Sequence, residues 1–556
     1  MNEHNNVRRA LVAIAISMCL GVSLGCKNPA EQVRDSATKP ERVEPVGEGP
    51  ETRVGSSEPN EATLFLMADI RGVLRPCGCT LELQKGGFDR LGPYLDAERK
   101  AYPNHRVIHA GPLFFGKDQV PENKAAQWER QAEVLGDLVQ QVGIDLAGAS
   151  SIDAVAAKGA YPALVARSKL QMTAANLRVP GLSFPRSRLE KVGNVTFGII
   201  ALAAPIDAAG KSGVVVTDPR EAMNQALVEL DGKADIVVLL SALGLRQTKR
   251  LVGRAKDVDF AVVGGLGEHP VVSDEAELVG NTRVVQFHRE GRWVGRLTVK
   301  LAGDKGDFVD VSAPSEAEKK ALDIRITQLT KALKTWSKSR KADDPAVLSA
   351  TEQLAALKTE RDQLAQPVAT PSDGKSTFSF RATALPWDLP QDSTILASMT
   401  AFDEELKVIN LKNAPPLPEP KPGQATFIGV MACLECHDET EYYWNHDRHS
   451  VAWETLEKDN KTFDADCVSC HVTGYGEAGG STIGKTKGLE DVQCESCHGP
   501  GSLHAEADDD RLKETIVLSP TQAVCVTCHN KHHSPNFDFT KYRQKLLVPG
   551  HGKPLL

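Results

Sequence analysis

The stretch Cys494-Glu495-Ser496-Cys497-His498-Gly499-Pro500-Gly501-Ser502-Leu503-His504 places two cysteines and two histidines within eleven residues. The same Cys-x-x-Cys-His spacing recurs at 433–437, 467–471 and 525–529. Two thiols three positions apart can each form a thioether with one vinyl group of the same porphyrin, and the adjacent histidine then reaches the iron. The sequence therefore predicts four haem c groups. The predicted attaching residues are Cys433, Cys436, Cys467, Cys470, Cys494, Cys497, Cys525 and Cys528, and the predicted proximal ligands are His437, His471, His498 and His529.

Zinc and dithiol chemistry fit this pattern less well. A structural zinc ion needs four ligands, usually from two separated Cys-x-x-Cys pairs that do not carry a histidine each time. Redox dithiols use Cys-x-x-Cys as well, but a histidine does not follow at every repeat. Four complete units within about a hundred residues favour covalent haem.

His504 raises the question of the sixth ligands. The turn at Gly499-Pro500-Gly501 is too short to bring His504 over the opposite face of its own haem, so we expect it to cap a neighbouring one. His449, in a predicted helix with Tyr442 and Trp453, is the other strong candidate. His533 and His551 complete the predicted distal set, while His446 and His532 are predicted to be solvated. An iron without a sixth ligand could bind a small molecule.

The C-terminal segment, about 429–556, resembles the multihaem cytochrome c proteins typified by the tetrahaem acceptor of electrons from hydroxylamine oxidation. The matching features are the four units, the 444–452 stretch that carries His449, and Cys-His-Gly-Pro-Gly-Ser-x-His from Cys497 to His504. The resemblance implies haems stacked in close pairs, with distal histidines from remote parts of the chain. Apolar residues are sparse from Asp459 to Lys513, so the porphyrins are expected to supply much of the apolar packing surface.

The N terminus predicts export. Arg8-Arg9 precede a short apolar run, and Ser23-Leu24-Gly25-Cys26 resembles a bacterial lipoprotein cleavage box. We therefore predict a signal peptide over 1–26, lipidation at Cys26 and a flexible tether over 27–62. The alternative is an ordinary signal peptide in which Cys26 is incidental. The predicted location is the bacterial periplasm or cell surface, anchored by lipid to the outer membrane.

Residues 63–302 alternate between apolar strand-like runs, such as 195–202 and 260–263, and helical stretches, such as 125–142, which predicts an α/β domain. Short motifs at the strand ends resemble the calcineurin-like metallophosphoesterases, in particular the 5'-nucleotidase branch. Such enzymes hold two metals with several aspartates and histidines. Here only Asp69 remains in register, because Arg71, Pro112, Ala149 and Ala242 stand where that family has metal ligands, although Glu268 and His269 are nearby in the last motif. We expect the frame to be retained and the phosphatase activity to be lost.

Cys77 and Cys79 follow Asp69 closely and lie in no haem unit. Two cysteines one residue apart rarely close an unstrained ring, and a strained disulfide is labile. A redox-active pair, or a metal site that borrows His105 or His109, is one interpretation. An inert local disulfide in an exported protein is the other.

The segments between these regions predict a connector. Residues 315–366 have apolar positions at helical spacing with an interruption near Asp343-Asp344-Pro345, which predicts a helical hairpin or short coiled coil. Residues 367–428 are predicted to form a connector that ends in a proline-rich spacer, before the haem domain at 429–556. The predicted fold is multidomain: an N-terminal α/β domain like the metallophosphoesterase β-sandwich with flanking helices, a helical hairpin, and a mostly α or irregular haem domain.

Composition limits the function. The 556-residue chain is 41% hydrophobic and carries a formal net charge of -8, with no basic segment that would indicate nucleic-acid binding. The leading interpretation is an exported tetrahaem electron carrier whose N-terminal domain binds a partner or a small redox substrate. The alternatives are a haem reductase of a small nitrogen or sulfur compound, a metal-dependent nucleotidase fused to a cytochrome, and a structural anchor. Redox proteins and, through the lipid anchor, a membrane are the predicted partners.

Overall fold

Two mixed β-sheets form the framework of the N-terminal region in the computed structural model. The structure describes residues 58–76, 84–207, 212–265, 272–273, 275–287, 289–302, 308–312, 316–336, 345–364, 374–530, 534, 537–549 and 551–553. The predicted signal peptide with Cys26, most of the predicted tether, and residues Cys77, Cys79, Glu268, His269, His532 and His533 lie outside this part of the chain.

Among the described residues, the first sheet has seven strands. In spatial order they are β14 (Val309–Asp310), β15 (Thr377–Ala384), β13 (Trp293–Lys300), β1 (Glu61–Ala68), β2 (His105–Ala110), β3 (Leu146–Gly148) and β4 (Gln171–Thr173). β1 to β4 pair in parallel, whereas β13 is antiparallel to both β1 and β15. The tether predicted to reach residue 62 ends earlier, because β1 begins at Glu61.

The second sheet has six strands in the described part of the chain. In spatial order they are β11 (Glu277–Val279), β12 (Thr282–Gln286), β10 (Phe260–Val263), β9 (Ile236–Ser241), β7 (Val195–Leu202) and β6 (Ser187–Val192). Two short pairs lie apart, namely β5 (Leu177–Arg178) with β8 (Val215–Val216), and β16 (Val548–Pro549) with β17 (Gly552–Lys553).

Alternation along β1 shows why the sheets pack face to face. Leu64 and Leu66 belong to the apolar cluster shared with the second sheet, which includes Ile199 and Val238. Phe65 belongs to a different cluster, under the helices on the outer face. Successive side chains of a strand point to opposite faces, so an uninterrupted apolar run is buried on both sides. The result is a β-sandwich with helices outside each sheet.

Helices cover both outer faces of the sandwich. They are α1 (Phe88–Ala101), α2 (Ala125–Val142), α3 (Ser151–Ala156), α4 (Tyr161–Ser168), α5 (Pro219–Leu230) and α6 (Leu245–Val252). α2 has the bounds that the sequence predicts. It stops at Gly143, whose φ of 70° is in the left-handed region that glycine adopts without strain.

The predicted hairpin is present as α7 (Glu316–Trp336) and α8 (Pro345–Leu364), which pack on each other. It is followed by β15, which pairs with β13 along its whole length, and by α9 (Ser393–Asn413), which packs on α2 and α1. Part of the predicted connector therefore belongs to the sandwich. A sequence pattern shows that a strand exists but does not show which strand it pairs with, so this placement required the structure.

Short helices and turns make up the C-terminal region. The helices are α10 (Val430–Leu434), α11 (Glu441–His446), α12 (Ala452–Lys458), α13 (Val468–His471), α14 (Cys494–His498), α15 (Ser502–Ala505), α16 (Gln522–Cys525) and α17 (Phe539–Leu546). The single helix predicted around His449 is wrong: it breaks at Asp447, whose backbone is extended and whose side chain accepts a hydrogen bond from the backbone N–H of His449. Aspartate favours such a cap over a helix interior.

The apolar cluster of this region is small. It contains Leu456, Ala465, Val468, Val472 and Ile483, against the three large clusters of the sandwich. The predicted fold class is confirmed: an N-terminal α/β region precedes a helical and irregular C-terminal region. Among the described helices, none has both the length and the apolar character needed to span a bilayer.

Candidate functional site

The four Cys-x-x-Cys-His units lie on short helical turns. In the first and fourth units the backbone N–H of the histidine donates to the carbonyl of the first cysteine, from His437 to Cys433 at 3.0 Å and from His529 to Cys525 at 2.8 Å. A turn of this kind holds both thiols and the imidazole on one side of the backbone. All eight cysteines are free of disulfides, so each thiol is available for a thioether.

Three of the proximal histidines face a second histidine from a distant part of the chain. The ring centres are 6.4 Å apart for His437 and His504, 6.0 Å for His529 and His449, and 6.2 Å for His498 and His551. Two imidazole nitrogens about 2.0 Å from one metal, with each nitrogen about 1.1 Å from its ring centre, place the ring centres roughly 6 Å apart. Each pair therefore has the separation of two axial ligands of one iron.

Hydrogen bonds fix the orientation of these rings. The Nδ1 atoms of His498, His504 and His551 lie 2.6, 3.0 and 2.6 Å from the carbonyl oxygens of Val517, Leu512 and Leu546. A carbonyl can only accept, so Nδ1 carries the proton and Nε2 keeps its lone pair for a metal. The same three side chains are predicted axial ligands of haem iron.

Asp447 orients His449 in the same way. Its carboxylate lies 2.7 Å from Nδ1 of His449 and accepts from the backbone N–H of the same residue at 2.9 Å. Burial raises the pKa of Asp447, but its hydrogen bonds with His449 outweigh burial and hold the pKa below its usual range. The carboxylate therefore stays ionised and fixes the Nδ1–H tautomer of His449.

His471 differs from the other proximal histidines. Its Nδ1 lies 2.6 Å from the carbonyl oxygen of Ala452, so Nε2 is again free to bind iron. Among the described histidines of this region, however, the rest are paired with each other or, as His446 is with Tyr442, stacked on a tyrosine. His533, the remaining predicted distal ligand, lies outside the described residues.

The attachment sites also come together in pairs. The thiol of Cys433 lies beside that of Cys494, and the thiol of Cys470 beside that of Cys528. The neighbouring thiol of Cys494 raises the pKa of Cys433, and that of Cys528 lowers the pKa of Cys470. The first unit is thus adjacent to the third, and the second to the fourth, although each pair is separated by about sixty residues of sequence.

Glu495, inside the third unit, connects it to the segment that enters the first. Its buried carboxylate accepts the backbone N–H groups of Ile428, Gly429 and Gly501 at 3.0, 2.8 and 2.7 Å. Charge-assisted hydrogen bonds are stronger than neutral ones, and a buried N–H left without an acceptor is costly. Glu495 therefore holds two haem units in register.

We expect Glu495→Ala to lower the free energy of unfolding by about 3 kcal/mol and Glu495→Gln by roughly half as much, because the amide keeps an acceptor but loses the charge. Guanidinium unfolding followed by haem absorbance measures both. Glu477, which is exposed, gives the matched control Glu477→Gln. An unchanged midpoint for Glu495→Ala would show that these bonds do not stabilise the domain.

The donor set fits haem c. It consists of paired free thiols in Cys-x-x-Cys-His spacing, and of imidazoles that are anchored through Nδ1 and separated by the width of an axial ligand pair. Bound haem iron would supply one-electron redox chemistry. The chain's own contribution is to attach the porphyrin, provide axial nitrogens and fix their orientation.

The second candidate site lies at the ends of β1 and β10, where the sequence predicted a dismantled metal centre. Asp69, in the left-handed region at φ 53°, accepts from the backbone N–H of Gly265 at 2.8 Å and from the Arg71 guanidinium at 3.1 Å. Gly111 and Gly264 make room for it, since a Cβ at either would lie 2.2 or 2.8 Å from its Oδ1. Burial raises the pKa of Asp69, and the charge of Arg71 partly offsets this. Arg71 therefore forms an ion pair with Asp69, the one residue of the phosphoesterase metal-ligand pattern that this sequence retains in register.

The other candidate metal ligands near this site, His109 and His105, also take part in hydrogen bonds within the fold. His109 is fully buried, and its Nε2 accepts from the backbone N–H of Ile70 at 3.3 Å. Burial lowers the pKa of His109 to about 3, so it is neutral. His105 bonds through Nδ1 to the carbonyl of Tyr102. In the described part of the chain, no group of three or more His, Cys, Asp or Glu side chains is arranged to hold a metal ion.

The paired imidazoles and the four attachment units define the class of the C-terminal region, a multihaem c-type cytochrome domain. The model of the family described as "Cytochrome c554 and c-prime" matches residues 432–499. Cytochrome c-554 of Nitrosomonas europaea is 40% identical over 93 residues, which cover 14% of this chain and 40% of that protein. The C-terminal region is therefore cytochrome c554-like, and the chain matches less than half of the length of that relative.

The N-terminal fold resembles 5'-nucleotidases and calcineurin-like phosphoesterases. A 5'-nucleotidase precursor from Thermus thermophilus gives a TM-score of 0.40 at 18% identity, covering 63% of this chain and 59% of the other. The sulfate thiohydrolase SoxB from the same organism gives 0.41 at 14% identity, covering 62% and 60%. The phosphoesterase YfkN from Bacillus subtilis gives 0.36 at 15% identity, covering 44% and 87%. Scores and identities this low say nothing about activity.

Sequence reasoning missed several residues that organise the haem region. The sequence motif contains Glu495 only as one of the two variable positions between Cys494 and Cys497, and it does not include Asp447. An acidic residue two positions before a candidate ligand is a usable signal for a ligand-orienting carboxylate, and Asp447 precedes His449 in this way. Glu495 gave no comparable signal, because its three partners come from two separate segments.

Proposed function

We propose that this protein is an exported electron carrier with four covalently bound haems. The observation that carries the proposal is the set of three histidine pairs at 6.0–6.4 Å, each joining a proximal ligand to a remote histidine. Axial ligation by two protein histidines leaves no open position for a substrate at these three irons, which suits electron transfer. Adjacent attachment sites, Cys433 with Cys494 and Cys470 with Cys528, keep neighbouring haem units close enough for electrons to pass between them.

Location and partners form part of the proposal. Covalent haem attachment implies an extracytoplasmic protein, and the Cys26 sequence supports a lipid anchor at the outer membrane. The electron donor and acceptor are redox proteins. The N-terminal domain binds a partner or a small redox substrate without hydrolysing it, because Arg71 neutralises the retained carboxylate Asp69.

Reductive titration of the matured protein tests this function. The proposal requires four reversible one-electron steps per chain, followed by rapid electron transfer to a soluble acceptor cytochrome. Fewer than four reversible steps, or reduced protein that cannot pass its electrons on, would refute the carrier function.

The second candidate function, reduction of a small nitrogen or sulfur compound, is favoured by one observation. No described histidine faces His471. An iron bound to His471 would therefore have an open sixth position unless His533 fills it. Carbon monoxide binding to one haem of the ferrous wild-type protein supports the reductase. Carbon monoxide binding that appears only in the His533→Ala variant assigns His533 as the sixth ligand. The electron carrier is then the function that remains.

The phosphoesterase-like domain is expected to show no turnover of nucleotides or phosphate esters, with or without added manganese. Two metals need nearly every ligand of the family pattern, and Asp69 is paired with Arg71. We expect Arg71→His to stay inactive as well, because Pro112, Ala149 and Ala242 still supply no ligand. Robust metal-dependent turnover by the wild-type protein would contradict this assignment.

A further inference from the structure

A buried polar junction joins the N-terminal domain to the segment that precedes the second haem unit. At its centre is Gln127, in the first turn of α2, which is 1% exposed. Its side-chain N–H₂ donates to Asp464 at 2.7 Å and to Asp466 at 3.2 Å. Its side-chain oxygen accepts from Asn410 at 2.6 Å and from the backbone N–H of Ala465 at 3.0 Å. Every donor and acceptor of this glutamine is therefore used.

The aspartates of the junction lead directly into the haem unit. The carbonyl of Asp464 accepts the backbone N–H groups of Cys467 and Val468, both at 3.0 Å, at the start of α13. Burial raises the pKa of Asp464, but the charge of Lys461, together with hydrogen bonds from the backbone N–H of Asp466 and from Gln127 and Lys461, holds the pKa below its usual range. Lys461 also donates to Asp403, which is bound by Arg75. Three elements of the N-terminal domain thus fix the chain at Cys467.

Two opposite charges lie beside the second haem unit, at the edge of the junction. Lys124 of the N-terminal domain is 2.6 Å from Asp466, and Trp128 donates its indole N–H to the same carboxylate at 2.9 Å. Asp466 is the residue immediately before Cys467. Lys124 also lies near Cys470, the second attachment residue of the same unit. One charge from each domain therefore flanks the two attachment residues.

We propose that the N-terminal domain sets the reduction potential of one haem, the haem attached at Cys467 and Cys470, through Lys124 and Asp466. The inference rests on the proposed electron-carrier function. Ferric haem carries one more positive charge than ferrous haem, so a nearby anion stabilises the ferric state and a nearby cation the ferrous state. The junction holds both charges at fixed positions, and a partner that moves this face of the N-terminal domain changes the potential of the same haem.

Opposite shifts in two variants of one ion pair test the proposal. In Asp466→Asn the equilibrium population of the ferrous form of this haem increases about three- to tenfold relative to the ferric form. In Lys124→Met the ferric form increases by a similar factor. The factor is no larger because solvent screens partly exposed charges. Tenfold is 59 mV for a one-electron couple. Both variants break the same contact, so a structural role alone would move the potential in one direction. The double variant is expected to return close to the wild-type value.

Redox titration of the matured full-length protein, with haem content determined for each variant, provides the readout. Each haem gives one wave in the titration. The wave that shifts must be the one that is absent from the Cys467→Ala/Cys470→Ala double variant, and the other three waves must keep their potentials. Lys249→Met breaks the Lys249–Glu277 pair, which lies outside the junction, and is not expected to shift a wave.

Unshifted waves, shifts in the same direction, or equal shifts of all four waves would overturn the inference while leaving the carrier function intact. If either single variant fails to mature, the other one alone decides by the sign of its shift. If the wild-type protein itself lacks four waves, both the inference and the proposed function fail.

Discussion

Replacing His504 by alanine is expected to convert one haem from low spin to high spin. The His504 ring is 6.4 Å from the ring of His437 and nearly parallel to it, and its Nδ1 is anchored on the carbonyl of Leu512. Without this ring, the iron bound to His437 loses its sixth protein ligand. The ferrous variant should then bind one more equivalent of carbon monoxide per chain than the wild-type protein.

His446→Ala is the matched control for this experiment. His446 is also a non-proximal histidine of the haem region, but it is exposed and its ring stacks on Tyr442 instead of facing a proximal ligand. We expect no change in spin state. If His504→Ala leaves all four haems unchanged in spin state and carbon monoxide binding, the pairing of His437 with His504 is incorrect.

Loss of haem is expected to unfold the C-terminal region and leave the N-terminal sandwich intact. Five buried residues form the apolar cluster of the C-terminal region, whereas the two sheets and their helices bury three extensive clusters. Porphyrins supply the missing apolar surface, and a domain with so little core of its own is not stable. Production in a host without cytochrome c maturation gives the haem-free chain.

Limited proteolysis with mass spectrometry measures this effect. In the haem-free chain, cleavage should concentrate after residue 428 and leave a resistant fragment that includes α9, because α9 packs on α1 and α2 of the sandwich. The matured protein is the control and should resist cleavage in both regions. Equal resistance of the haem-free C-terminal region would show that it folds without the porphyrins.

Local patterns predicted much of this fold. Runs such as 195–202 and 260–263 are strands with the predicted bounds, because a fully apolar run bounded by polar residues fits a strand buried on both faces. Pairings between distant segments could not be predicted in this way. β15 joins the first sheet after the insertion of a helical hairpin, and no residue in 377–384 identifies β13 as its partner.

The haem sites likewise combine features that the local sequence predicts with features that depend on distant segments. The attachment residues and proximal histidines follow from local chemistry, since each Cys-x-x-Cys-His unit is contiguous. Which distal histidine faces which proximal one depends on how remote segments pack, and the placements of His449 opposite His529 and of His551 opposite His498 come from the structure. The junction at Gln127 was not predicted at all, because glutamine in a helix usually indicates a solvated face.

Mass spectrometry of the C-terminal fragment from natively matured protein, under denaturing conditions, tests the central claim most directly. Thioether-bound haem survives denaturation, so the fragment that contains all four Cys-x-x-Cys-His units should have the mass of its polypeptide plus four haems. A fragment with the mass of the unmodified polypeptide would contradict the account.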